Sequence, residues 1–285
     1  MPALANTAPS QRAHAIPGFT PERSAQQLLV VAARSWFAVA LIGQAIFSTY
    51  IAIVYGGATL TGDTARWNHV MPKGYVPGDT AGNAAIMSHV LLAVLIMVAG
   101  ALQLAPAIRR RVPALHRWVG RGYVIAVTLT SLAGLYMVWF RGSVGDHSQH
   151  IAISLNAVIL TACAVLAWRA ARARDFGTHR RWALRAYLAA NGVFFFRLGL
   201  FLWLVINQGP VGFDPKTFTG PFLTTLAFAV YVVVPLSVLQ LYLRAQRSTG
   251  RWLPRVTAGV LFALALLSVG GIGAVSMILW LPAMR

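Results

Sequence analysis

Four histidines stand out by type and spacing: His89, His116, His150 and His179. They form two couples, His89 with His116 27 residues on and His150 with His179 29 residues on. The later member of each couple opens a repeated phrase, LHRWVGRGY at 115–123 and THRRWALRAY at 178–187. Both phrases run His-Arg, then Trp, Arg and Tyr, with one residue inserted in the second. Neutral imidazole is a ligand for iron, copper and zinc. One imidazole from each side of a porphyrin holds a low-spin b-type haem. Two histidines are too few for a closed structural zinc site, which leaves copper or zinc the lesser alternative. No dinucleotide or phosphate-loop glycine motif, zinc-protease HExxH or Ser-His-Asp arrangement competes with them.

The elements that must position these rings are membrane helices. Of the 285 residues 58% are hydrophobic and 11% charged, and the mean hydropathy is +0.65. A soluble domain of this length needs far more polar surface, so the fold class is an all-α integral membrane protein. About seven transmembrane helices fit, each taking about 20 apolar residues: 35–55, 85–108, 115–140, 150–168, 182–206, 222–243 and 256–281. Residues 1–27 are polar, lack the apolar core of a signal peptide and read as a disordered cytoplasmic tail. The formal charge of +18 could signal nucleic acid. Its placement argues otherwise, because 18 of the 24 basic residues lie before the first span or between spans two and three, four and five, and six and seven. That alternation sets the amino terminus in the cytoplasm and the carboxyl terminus outside an inner membrane. The basic residues then meet anionic lipid headgroups, and no nucleic acid is expected. Tryptophans at both interfaces, Trp280 among the outer ones, read as an aromatic belt. Cys163, the single cysteine, reads as a small buried residue.

The histidine phrases belong to a larger repeat. The second and fourth spans both run inward from a histidine near their outer start, and each is followed by a basic turn and a helix returning outward. Such a parallel repeat predicts a four-helix bundle core, helices 2–5, built from two hairpins about an axis along the membrane normal. Depth sorts the rings into an outer couple, His89 and His150, and an inner couple, His116 and His179. From His89 to Ile108 is roughly 28 Å of helix, so the couples stand most of a bilayer apart. One turn beyond each histidine lies a small residue, Ala93, Gly120, Ser154 or Ala183. These leave room for a flat cofactor, or equally let bare helices approach. Arg197 lies deep in the fifth span, where a cation is costly and normally faces the bundle interior. It follows His179 by eighteen residues, five turns, which places both on one face and Arg197 at the depth of the outer couple. A carboxylate such as a haem propionate suits its guanidinium fork, with snorkelling to the interface as the alternative. Arg121 and Arg185 could serve an inner haem likewise.

In histidine order, depth and helix pairing, residues 85–206 resemble the cytochrome b561 family of transmembrane di-haem oxidoreductases. That resemblance implies two b haems, His89 and His150 ligating the outer one and His116 and His179 the inner one. The HRWxGRxY phrase also resembles an uncharacterised bacterial family of predicted membrane proteins, known only as a domain of unknown function. The chain departs from the first family in having seven spans rather than six and shorter gaps within each hairpin, and it lacks the ascorbate-binding motifs of eukaryotic members.

The chain therefore divides into a tail (1–27), a first span with its outer loop (28–84), the four-helix core (85–206) and a loop with two further spans (207–285). The function expected is transmembrane electron transfer, as a membrane oxidoreductase of the quinone or ferric reductase kind. Its partners would be membrane lipids, a quinone or small redox donor or acceptor, and a second copy of the chain in a homodimer. The alternative is a cofactor-free multi-pass protein, a small transporter or accessory subunit.

Overall fold

A computed structural model describes residues 21–71 and 73–285; residues 1–20, which hold most of the expected tail and His14, lie outside the described residues. Among the described residues the protein is helical and has no strand. Among the described residues six helices are long and apolar enough to cross a membrane, Glu22–Leu60, Thr80–Leu104, Pro113–Gly142, His147–Arg172, Pro221–Ala245 and Trp252–Ala283, and a bent pair, fifth in chain order, makes a seventh span. The first helix already begins at Pro21, inside the stretch expected to be tail.

Local chemistry sets the boundaries. Pro106 disfavours helix at the residue before it, and Ala105 is extended, with ψ 115°. A short helix, Pro106–Arg111, fills the turn, and Pro113 then opens the third span at a position where no N–H is needed. Asp79, Asp146 and Asp175 each accept a backbone N–H three residues ahead, capping the second, fourth and fifth spans. Half of the six acidic residues thus serve as helix caps. The caps and prolines define a basic end, with the arginine clusters and His116 and His179, and an opposite loop end.

Spans two to five form a ring. The third packs against the second and fourth, the fourth against the first half of the fifth, and the fifth touches the second to close it. Small residues fill the ring's centre, with Cys163, Ala164, Ala186 and Ala189 packed against Tyr123, Val127 and Leu160. Cys163 is free and buried. The seventh span lies along the first and along the second half of the fifth. A side chain on Gly271 would meet the backbone of Leu198 at 2.8 Å, so close helix approach requires glycine there. The third span, outside this added layer, keeps a lipid face with Ile125, Leu129, Leu132 and Phe140 exposed.

The fifth span is not one helix. Phe176–Ala190 and Gly192–Asn207 meet at a 46° bend. At the break, the Asn191 amide donates to the Tyr187 carbonyl (2.7 Å), and the Asn156 amide of the fourth span donates to the Ala189 carbonyl (3.2 Å). Side-chain amides thus satisfy carbonyls that the interrupted ladder leaves free, as lipid surroundings demand. The five-turn count from His179 to Arg197 assumes an unbroken helix, so the bend removes that argument for a shared face.

Arg141 fastens the loop end. It ion-pairs Asp79 at 3.1 Å and donates to the Asn83 side chain (2.7 Å) and the Lys73 carbonyl (3.1 Å). A side chain on Gly82 would run into both Arg141 and Asp79. The Arg141 side chain is 5% exposed and that of Asp79 35%, which places the pair between the buried and surface regimes. Arg141→Ala should destabilise the protein by about 2 kcal/mol. Limited proteolysis between residues 60 and 80 should quicken while the basic end stays protected.

Candidate functional site

At the basic end, His116 lies in the first turn of the third span and His179 in the first turn of the fifth. His179 Nδ1 is 2.9 Å from the Ala167 carbonyl of the fourth span. A carbonyl only accepts, so Nδ1 carries the hydrogen and Nε2 keeps its lone pair. His116 Nδ1 is buried with no hydrogen-bond partner. Both rings stand in the first turn of their helices at the same, basic end of the bundle. The Gln103 amide donates to the His116 carbonyl at 2.9 Å, steadying the helix start. A side chain on Gly120 would come no nearer than 3.4 Å to Gln103, an ordinary contact, so packing does not force glycine here.

The repeat reproduces its surroundings as well. Arg121 stacks on Trp118 and Arg185 on Trp182, each with 4.8 Å between guanidinium carbon and ring centroid. Arg185 also donates to the Arg181 carbonyl and the Gln240 side chain. The closing tyrosines of the two phrases, Tyr123 and Tyr187, are both buried and converge on Gly100, which a side chain would bring within 3.1 Å of Tyr187 and 3.5 Å of Tyr123. Tyr187 exchanges hydrogen bonds with Gln44 of the first span, while the Tyr123 hydroxyl has no partner. Sequence reading passed over this tyrosine pair, although its matched place in both phrases was the signal.

The loop end is arranged differently. His89 Nδ1 meets the Thr130 carbonyl at 2.9 Å, and its ring lies over Gly134 of the third span. Its Nε2 therefore keeps a lone pair. His150 packs edge-on against Trp139 (5.9 Å between centroids) and beside His147 (6.3 Å), which starts the fourth helix rather than lying in the loop. His150 Nε2 points to the Val144 carbonyl at 3.4 Å. Ser154, its small neighbour, accepts from the Trp139 indole at 2.9 Å on an open apolar groove between the third and fourth spans. The structure thus places His116 and His179 in matched positions at one end and gives His89 and His150 separate neighbours. Gly134 and Gly100 receive a ring each, so close packing accounts for them.

Arg197 does not approach His150. Its guanidinium sits 5.1 Å over the Phe47 ring, and its charge acts on Tyr50, Tyr55, Tyr231 and His89. Trp280, expected in the interfacial belt, is instead fully buried beside Phe47 and Tyr50. Apolar periodicity does not distinguish a lipid-facing tryptophan from one covered by the first span. Among the described residues no cluster of three or more His, Cys, Asp or Glu could hold a metal ion.

Asp146 sets the helix that carries His150. Above all the Gln149 N–H holds its carboxyl below the usual carboxylate range; partial burial opposes this, and the Thr224 hydroxyl adds to it. With the folded pKa depressed, the stabilisation is complete above the ordinary aspartate range and is lost as pH falls through the folded value. Acidification should therefore fray the first turn of the fourth span, read as faster amide exchange at Gln149. Asp146→Asn should keep the cap and abolish that pH dependence, whereas Asp146→Ala should cost about 1 kcal/mol at neutral pH.

Comparison with known proteins gives one family. The model of a family described as a predicted membrane protein (DUF2306) matches residues 86–233, which takes in the ring of spans two to five and the start of the sixth. No curated protein and no solved structure matches the chain. The match agrees with the likeness to an uncharacterised membrane family read from the HRWxGRxY phrase; the cytochrome b561 likeness gains no support from it.

Proposed function

The chain belongs to the DUF2306 family of predicted membrane proteins, and on that premise we propose that it is an electron carrier with a b haem held between His116 and His179. The observation that carries this reading is the basic-end couple. Two imidazoles from matched places in the repeat stand in the first turns of their helices at the same end of the bundle, and each has an uncommitted ring nitrogen. The His179 hydrogen bond to Ala167 supports it further, since ligating histidines are commonly oriented by a carbonyl on the other nitrogen. A haem bound there supplies a one-electron couple. The chain's own groups orient the His179 ring and stand Arg121 and Arg185 where they could meet propionates. A quinone or another small redox molecule at the membrane surface is the partner class this chemistry calls for.

The loop-end couple does not fit a second haem in this packing. His89 offers a free Nε2, but His150 directs its own Nε2 at Val144 and its ring at Trp139. No step is assigned to that couple.

Protein purified from haem-replete cells should show a b-type reduced-minus-oxidised spectrum with about one haem per chain. His116→Ala or His179→Ala should remove it, and His150→Ala should leave it. Folded protein without haem overturns the reading.

One observation favours a second reading, a cofactor-free transporter. The fifth span is broken in mid-membrane, and the side-chain oxygens of Asn156 and Asn191 at the break are buried without hydrogen-bond partners. Discontinuous helices of this kind form substrate sites in transporters. In that case Asn191→Leu would alter function in protein with no visible spectrum, and His116→Ala would not.

A further inference from the structure

The loop end holds a second constellation, built from donors. Arg197 lies ten residues before the end of its helix, roughly 15 Å along the axis from the last turn. The six acidic residues, Glu22, Asp63, Asp79, Asp146, Asp175 and Asp214, all lie in loops or at helix starts, so no span interior supplies a counter-charge. Arg197 makes no hydrogen bond or ion pair among the described residues; it only stacks on Phe47. Around the same aromatic cluster, the indole N–H groups of Trp67 and Trp280 and the Ser276 hydroxyl are buried without hydrogen-bond partners, and the Tyr50 hydroxyl has only the Tyr55 hydroxyl to meet. Tyr50 is 1% exposed, Trp67 2% and Trp280 0%. Ring contacts connect them: Phe47 with Trp280 at 5.1 Å, Tyr50 with Trp280 at 6.2 Å, Tyr50 with Tyr55 at 6.4 Å and Tyr55 with Trp67 at 6.2 Å.

Backbone irregularity gathers at the same place. Tyr55, Tyr231 and the pair Ser276 and Trp280 come from three separate π-helical turns, Ala52–Gly56, Ala229–Val233 and Ser276–Trp280. A π turn re-aims the side chains it carries, and such turns concentrate at functional sites. Two of these turns place Tyr55 and Trp280 in the aromatic cluster that includes Phe47, on which the half-buried Arg197 stacks. The third stacks Tyr231 on Phe196, next to Arg197 in the chain, an observation independent of the charge.

We propose that Arg197 and its surrounding donors form a binding site for a carboxylate with an apolar body. The indole N–H groups can only donate, and the guanidinium only donates, so the ligand must bring acceptor oxygens. One fixed positive charge with no second cation matches a single negative charge, and the planar fork fits two carboxylate oxygens better than a phosphate that needs more cations. Walls of Phe47, Phe194 and Val54 cover an apolar body rather than a hydrated one. The ligand is a free organic acid partitioned from the bilayer, since the loop-end histidines do not fit a haem in this packing. The site lies at the opposite end from His116 and His179 and does not rest on the haem reading.

The test uses the full chain in zwitterionic nanodiscs, titrated with laurate labelled at its carboxyl carbon and read by carbon NMR. A saturable bound carboxylate signal at about one per chain is expected. Dodecanol, with the same body and no charge, should not compete. Arg197→Gln should weaken binding by roughly tenfold or more, and so should Trp280→Phe, which keeps the ring and deletes the N–H. Lys216→Gln, a basic side chain in the loop, should change nothing. Absence of a saturable signal, competition by dodecanol, or wild-type binding by folded Trp280→Phe overturns the site. Loss of the basic-end haem reading alone would leave laurate binding as it is.

Discussion

Inside the hydrocarbon layer there is no water to answer a polar group, so each one must find its partner within the protein. Most of the side-chain geometry follows from this constraint. His89 and His179 turn their Nδ1 hydrogens to carbonyls of the neighbouring span. Asn156 and Asn191 take up the carbonyls released at the bend of the fifth span. Gln44 reaches from the first span to the Tyr187 hydroxyl. The same constraint gives weight to the exceptions. A buried polar group without a partner is costly, and among the described residues such groups lie beside His116, at Tyr123, Thr130 and Ser131 of the third span, at Arg141, at the bend and around Arg197. Unsatisfied polarity in a membrane interior is a map of where chemistry is expected.

Carbonyl anchoring also settles what each ring offers. A histidine that gives its Nδ1 hydrogen to a backbone carbonyl is fixed in one tautomer and one orientation, with Nε2 bare. His179 and His89 have both properties. His150 has the opposite disposition, with Nε2 toward Val144. The matched histidines therefore differ ring by ring, although sequence spacing treats the two couples alike.

How far the sequence carries the reading depends on what each residue encodes. Span number and the starts of the spans are legible because apolar length, Asp before a helix start and proline position act locally. Asp79, Asp146 and Asp175 cap helices by that local rule. The bend at Asn191 was not legible, because Asn-Gly inside an apolar run is compatible with a continuous helix until its packing against Tyr231 and Asn156 is known. Trp280 reads as interfacial by position, and only the contact with Phe47 and Tyr50 buries it. The clamp by Arg141 joins residues nearly sixty positions apart and leaves no periodic trace. Facing direction about a helix axis, which decides whether His150 meets His89 or Trp139, is a tertiary property that repeat spacing does not contain.

The three spans outside the ring explain why two matching hairpins end up unlike. The third span keeps a lipid face, whereas its repeat partner, the fifth, is enclosed by the first, sixth and seventh. Enclosure changes the matched residues: Tyr187 gains Gln44, while Tyr123 stays without a partner. It also allows a cation deep in the fifth span, because Phe47, Tyr50 and Trp280 from the added spans shield Arg197 from lipid. The π turns that shape that shield lie in the first, sixth and seventh spans, none of which belongs to the repeat. Duplication therefore accounts for the basic end, where the two phrases stay equivalent down to their tryptophan–arginine stacks. The loop end is the product of the added helices, and a chain reduced to spans two to five would keep the histidine couple while losing the cage round Arg197.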